Sequence, residues 1–236
     1  MNNKLAVIGA TGSLGKAILE ELALDSRLTL EGAYTRSSSQ NLSPPFRSDL
    51  EHSQADVWLE VSLADSLDRT LPLALQKQVP LVIGSTGLSS DHEQAIQAAS
   101  QKIPLFYTPN FSIGMALLFQ ISKLIATTNP ETTLLETHRK NKKDAPSGSA
   151  LLLAAHIEST GAAPPAIHSI RAKDVFGEHQ LRFDWEGETL TFSHAVRNRR
   201  AFARGALQAC AFLLSQPPGL YSMQDILYTS NRHAEN

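Results

Sequence analysis

The chain opens on a short, fully apolar run, Leu5-Ala-Val-Ile8, closed at once by the glycines of GATGSLG. Over 16–24 the apolar residues then recur at helical spacing, so the pattern predicts strand, tight loop and helix. A second strand over Leu28–Tyr34 completes a βαβ unit of the length expected for parallel strands joined by a helical crossover. Further strands are predicted over 56–61, 80–84 and 103–107, separated by helical patterns over 64–78 and 90–101. After about Asn110 the pattern changes to a helix over 113–127, a strand over 133–137, a basic loop and a helix over 149–158. Two strongly alternating segments follow, 178–185 and 188–195, joined through Glu186-Gly187 as an antiparallel hairpin. A rather apolar helix over 202–214 comes next, and Ser222-Met-Gln-Asp225 has capping-box spacing before a last apolar stretch.

The length of 236 residues allows one large or two modest domains. Lys+Arg 21 against Asp+Glu 23 gives a net charge of -2, which argues against a nucleic-acid or membrane-surface binder acting through bulk charge. The lone Cys210 excludes an internal disulfide framework and a cysteine-only metal cage, and no metal is expected. The apolar run at the start is too short for a signal-peptide core, and no run approaches the roughly 20 residues that span a bilayer. The expected location is the cytoplasm.

GATGSLG places Gly9, Gly12 and Gly15 between a strand and a helix. Glycine there lets the backbone turn tightly and approach a pyrophosphate held by the helix N-terminal amides. A three-glycine pattern alone is weak, but this one follows a strand inside a βαβ unit, which predicts a dinucleotide site. The fold class is therefore α/β, a Rossmann-type mostly parallel sheet with a second α+β domain built on a mixed or antiparallel sheet. The predicted division is a discontinuous dinucleotide-binding domain, 1–110 and 203–236, around a substrate-binding and oligomerisation domain, 111–202. An acidic residue about 20 positions past the glycines would bind the ribose 2′-hydroxyl of NAD. Thr35 occupies that place, with Arg36, Ser37 and Ser38 following and Glu31 too early within the strand. A guanidinium and two hydroxyls suit a 2′-phosphate, so NADPH is favoured over NADH.

Thr137-His-Arg-Lys-Asn-Lys-Lys143 sets five potential cations directly after a strand and runs through Asp-Ala-Pro-Ser-Gly-Ser149 into a helix. A charge run is usually a solvated face. Its position between a strand end and a helix start instead lets cations and helix amides bind a carboxylate-rich ligand together. His138 can exchange protons near neutral pH, and Lys142 can donate one if neighbouring cations lower its pKa.

The segment THRKNKKDAPSGSA resembles the substrate-binding and catalytic signature of the 4-hydroxy-tetrahydrodipicolinate reductase family. The resemblance extends through VIGATGSLG, VWLEVS at 57–62, VIGSTG at 82–87, TPNFSIGM at 108–115, IRAKDVFGEH at 170–179 and RRAFARGAL at 199–207. It implies an NAD(P)H enzyme of diaminopimelate and lysine biosynthesis, a cyclic dicarboxylate substrate and a homotetramer. By position it implies His138 and Lys142 as the proton-transfer pair, and Gly148 and Ser149 as the holders of a substrate carboxylate. Gly9, Ala10, Thr11, Gly12, Ser13 and Leu14 match the pyrophosphate loop. Gly84, Ser85 and Thr86, with Thr108, Pro109, Asn110 and Phe111, match the segments flanking the nicotinamide.

Besides Thr35, where the family's acidic ribose contact is absent, three features depart from the family pattern. A second histidine is usual where Arg139 stands; Arg139 keeps a cation able to grip a carboxylate but cannot relay a proton near pH 7, so it is assigned to binding. Lys173 replaces a usual glycine, and the stretch 36–56 is abbreviated. The alternatives are an NADP-binding redox-sensing regulator, or another small-substrate NAD(P)H reductase. A short-chain reductase would need a Tyr four residues before a Lys, which none of the four tyrosines has. Cys210, in an apolar helix, is poorly placed for the thiol chemistry of a semialdehyde dehydrogenase.

Overall fold

The computed structural model describes residues 2–35 and 46–232. Arg36, Ser37 and Ser38, named above as 2′-phosphate contacts, lie outside the described residues. The chain begins with β1 (Asn3–Ile8), α1 (Ser13–Leu22), β2 (Leu28–Tyr34), β3 (Phe46–Arg47), β4 (Val57–Glu60), α2 (Leu67–Lys77), β5 (Leu81–Ile83), α3 (Ser90–Ser100) and β6 (Pro104–Tyr107). It continues with α4 (Ile113–Ala126), β7 (Glu131–Arg139), α5 (Gly148–Glu158), β8 (Ala166–Ala172), β9 (Gly177–Trp185) and β10 (Glu188–Val196). It closes with α6 (Arg200–Leu213), β11 (Gly219–Tyr221) and α7 (Met223–Arg232). Two compact units result, Met1–Phe111 with Phe202–Asn236, and Ser112–Ala201.

The first unit carries a seven-stranded sheet in the order β11-β6-β5-β4-β1-β2-β3, with every pairing parallel. Parallel strands covered on both faces read as continuous apolar runs. Accordingly Leu5, Val7, Trp58, Leu59, Val82, Ile83, Leu105 and Phe106 are all fully buried. The predicted strands and helices appear within a few residues of their expected bounds. The capping-box spacing at Ser222 is realised as the Asp225 carboxylate accepting the Ser222 backbone N–H at 2.7 Å.

The second unit is a four-stranded mixed sheet, β10-β9-β7-β8, in which β7 and β8 are parallel and the other pairings antiparallel. The predicted hairpin is present: Trp185 pairs with Glu188 across a two-residue turn whose Gly187 has φ +85. Gly177, His179, Leu181 and Phe183 form the buried face of β9. Leu181 and Phe183 pack with Met115 and Leu118 of α4 and Leu153 and Ile157 of α5. The fold class read from the sequence is the one observed, and within this unit two details differ. The strand expected over 133–137 runs on through Arg139, so His138 and Arg139 belong to β7 and not to a loop. β8 was not anticipated, because as an exposed edge strand it has no one-sided apolar alternation to betray it.

Candidate active site

In the first unit the register aligns Ile8, Tyr34, Glu60, Ile83 and Tyr107 across the sheet. The residues that follow them, Gly9, Thr35, Val61, Gly84 and Thr108, therefore all leave the sheet at its carboxyl edge. β1 lies between β2 and β4, where the chain reverses its progress across the sheet. Ligands of open α/β sheets bind in the crevice at such a switch point. A cleft of about 850 Å³ lies there, lined by Gly9, Thr11, Gly12, Ser13 and Leu14 from the glycine loop, by Tyr34 and Thr35 from the end of β2, and by Ser62, Asp65 and Arg69 beyond β4.

The loop is built to bring backbone close to a ligand. Gly9 has φ +84, and a Cβ there would lie 2.7 Å from the Ser62 nitrogen, so both its conformation and its space require glycine. Gly12 precedes α1 with no side-chain cap, and the first turn carries no acidic residue. The positive end of the α1 dipole is thus presented without a carboxylate, as a pyrophosphate would need. Ala10 is fully buried and can offer only backbone.

Gly84, Ser85 and Thr86, and Thr108 to Phe111, sit at the ends of the adjacent strands β5 and β6 and do not line this cleft. Thr108 fixes its turn by donating from Oγ1 to the Asn110 carbonyl at 2.9 Å and accepting the Asn110 N–H at 3.1 Å. The Phe111 ring lies where a Gly84 side chain would be. The buried Ser85 hydroxyl has no partner among the described residues. Such a group fits a ligand hydrogen bond beside the turn, which is what a nicotinamide amide would supply. Glu31, excluded on sequence as the ribose ligand, accepts hydrogen bonds from Tyr34 Oη and Ser53 Oγ at 3.1 Å each and pairs with Arg47 at 3.2 Å.

Glu60 was not singled out in the sequence. Fully buried at the end of β4, its carboxylate accepts the Ser62 N–H at 2.8 Å and the hydroxyls of Ser62, Ser66 and Thr70 at 2.5, 2.7 and 2.8 Å. It therefore folds the segment that forms one wall of the cleft. The signal was a charge inside the apolar run VWLEV.

The second unit carries the basic segment. On β7 the even positions Leu134 and Glu136 are fully buried, and His138 shares their face. Its Nδ1 meets the Glu136 carboxylate, and its ring packs edge-on to His179 of β9 at 5.2 Å. Burial pushes His138 below the ordinary imidazole value; Glu136 opposes that shift, while Lys142 and Arg171 add to it. Burial, with His138 and His194 nearby, drives His179 down to about 4. Neutral His179 lies 3.4 Å from the hydroxyl of Ser147, whose Oγ accepts the Ala150 N–H and caps α5. His194 meets Ser112, the cap of α4, in the same way at 3.0 Å. Despite these histidines, no metal-binding cluster of three His, Cys, Asp or Glu is found among the described residues.

Lys142 was expected among cations, and its direct partner is instead an anion. Its Nζ donates to both Asp144 carboxylate oxygens at 2.7 and 2.9 Å. That bond holds Asp144 below the usual carboxylate range. Lys142, predicted for proton transfer, thus already grips a carboxylate four residues before Gly148, the first residue of α5. Ser149 lies in the first turn of the same helix. Arg139 stands apart: adjacent strand residues project to opposite faces, and Arg139 lines a separate cleft of about 350 Å³ with Lys140, Lys173 and Phe176. Glu136 and Arg171 were also overlooked, although Glu136 breaks the buried phase of the alternation in LLETH.

A doubly wound parallel sheet with a glycine-rich turn at its switch point defines a dinucleotide-binding α/β protein. Two family models match the chain, described as dihydrodipicolinate reductase, N-terminus, over residues 3–111, and dihydrodipicolinate reductase, C-terminus, over residues 114–227. A 4-hydroxy-tetrahydrodipicolinate reductase of Xanthomonas euvesicatoria is 39% identical over 232 residues, covering 95% of this chain and 97% of its own. That of Pseudoalteromonas atlantica is 32% identical over 263 residues, covering 95% and 98%. A solved dipicolinate-bound dihydrodipicolinate reductase from Paenisporosarcina shares the fold with a TM-score of 0.84 at 23% identity, over 96% of this chain and 100% of that one. The chain belongs to the dihydrodipicolinate reductase family, NAD(P)H-dependent oxidoreductases of diaminopimelate and lysine biosynthesis.

Proposed function

We propose that the protein reduces 4-hydroxy-tetrahydrodipicolinate to tetrahydrodipicolinate, with loss of water, using NADPH in preference to NADH. The observation that supports the substrate side is the Lys142 ammonium holding both oxygens of the Asp144 carboxylate just before the N-terminus of α5. A substrate carboxylate presented there would meet an ammonium, helix amides and the Ser149 hydroxyl, replacing Asp144. Gly9, Ala10, Thr11, Gly12, Ser13 and Leu14 would hold the cofactor pyrophosphate, and Gly84 to Thr86 with Thr108 to Phe111 its nicotinamide end. When bound, the reduced nicotinamide supplies the hydride. Lys142 then gives the proton that the reduced ring requires, and His138 orients the ring by hydrogen bonding. Arg139 adds positive charge for a carboxylate.

The NADPH preference is supported by Thr35 standing where a ribose-binding acid would be, by Arg36 in the sequence, and by the Arg69 side chain on the cleft wall. Assembly as a cytoplasmic homotetramer through the open face of the four-stranded sheet, which shows Ile170 at 45% exposure, belongs to the same reading. Substrate made freshly by the preceding synthase, with oxidation of each reduced nicotinamide followed by absorbance, tests the proposal. NADPH should give the higher kcat/KM, and Arg36→Ala should narrow the gap; no oxidation of either cofactor would refute it. Light scattering checks the tetramer.

A further inference from the structure

The Glu136 carboxylate is fully enclosed, which is costly for a charge unless every partner is fixed. Its partners, besides the Ser169 hydroxyl, are His138 and Arg171. One oxygen meets Nδ1 of His138 two residues along β7. The other pairs with the Arg171 guanidinium of β8 at 2.8 Å, in register because β8 pairs with β7 with Arg171 opposite His138. The second arm of Arg171 donates to the backbone carbonyl of Asp144, inside the loop that presents Lys142. One buried anion thus connects the histidine on the strand to the loop carrying the lysine.

We propose that Glu136 is the positioning residue of this site: it fixes His138 in the tautomer with the proton on Nδ1 and Nε2 directed away, and through Arg171 it tethers the loop that carries Lys142. The inference rests on the roles given above to His138 and Lys142. A carboxylate at Nδ1 accepts that proton in a hydrogen bond, so Nε2 is the nitrogen left to accept or donate at the substrate. The guanidinium is suited to the joint because it can hold a carboxylate and a carbonyl from one rigid fork. The charged and titratable groups around His138 are Glu136 on its own strand, Arg171 on β8, His179 on β9 and Lys142 in the following loop. Glu136 alone among them is an anion. Its removal leaves the Arg171 guanidinium beside His138 without its carboxylate, and the His138 titration midpoint should fall.

The test is the nitrogen spectrum of the protein with isotope-labelled histidine, the His138 signal being assigned by its loss in His138→Gln. The native protein should show the Nδ1-protonated tautomer of His138 near neutral pH. Glu136→Gln should populate the other tautomer, lower the His138 midpoint and reduce kcat/KM by about 10- to 100-fold, the usual effect of losing a carboxylate that orients an imidazole at metal sites. Its cofactor dissociation constant should stay unchanged. Arg171→Lys should lower kcat/KM while keeping the His138 tautomer. An Nε2-protonated His138 in the native protein would overturn the proposal even if Glu136→Gln fails to fold. So would a Glu136→Gln protein with native tautomer and native kcat/KM. A native protein with the expected tautomer but no reductase activity would instead overturn the proposed function.

Discussion

Glu60→Gln changes one oxygen for a nitrogen at the centre of the cleft wall. The carboxylate accepts four hydrogen bonds, from the Ser62 N–H and three hydroxyls, at 2.5–2.8 Å. Hydrogen bonds to a charged group contribute about 1.5–3 kcal/mol each, against about 0.5–1.5 for neutral pairs, so neutralising the acceptor removes about 1 kcal/mol from each. Relief of the buried charge offsets part of this, and the hydroxyls can rotate to accept from the new amide. A net destabilisation of about 2 kcal/mol follows, which lowers Tm by about 4–8 °C in a chain of this size. Urea unfolding read by Trp58, fully buried two residues from Glu60, measures it in a Trp185→Phe background. Because the 61–66 segment lines the cleft, the cofactor should also bind about tenfold more weakly, a change of about 1.4 kcal/mol. An unchanged urea midpoint together with an unchanged cofactor Kd would refute the reasoning.

Other predictions follow from single groups. His179 is held at about 4 by burial and its histidine neighbours, so below about pH 6.5 the unfolded chain takes up a proton that the folded one refuses. Its contribution is fully present above pH 6.5 and lost as pH falls towards 4, up to about 3 kcal/mol; His179→Gln should flatten that part of the stability–pH curve, and an equal slope would contradict the account. Burial pushes the Cys210 thiol far above its ordinary value, so it should resist alkylation in the folded protein and react on unfolding. Asp144 competes for Lys142 through an exposed pair of about 0.2–1 kcal/mol. Asp144→Asn should therefore lower the substrate KM by up to about fivefold, and a raised KM would show that the carboxylate assists binding.

The glycine loop and the central strands were legible because each leaves a local mark: continuous apolar runs for strands buried on both faces, and glycines where a backbone must turn. His138, Lys142, Gly148 and Ser149 were likewise legible as a segment. Their arrangement was not. Whether Lys142 faces cations or Asp144, and whether Arg139 joins His138 or turns to the other face, is decided by strand register and the extension of β7, which the cation-rich composition of THRKNKK conceals. Glu60, Glu136 and Arg171 escaped for a related reason. Their partners are 2–35 residues away in sequence, as in Thr70 for Glu60 and Arg171 for Glu136, and only the charge in an apolar phase hinted at them. β3 and β11, two and three residues long, are too short to carry a period.

In the proposed NAD(P)H-dependent reduction Lys142 delivers the proton and His138 orients the ring. Single-turnover oxidation of bound NADPH by freshly generated substrate, compared among wild type, Lys142→Ala and His138→Gln, tests these roles most directly. Lys142→Ala should lose about 10²- to 10⁴-fold, the range for a positioned proton-transfer group, and His138→Gln should also be slowed, with cofactor affinity unchanged in both. Undiminished turnover in both variants would contradict them.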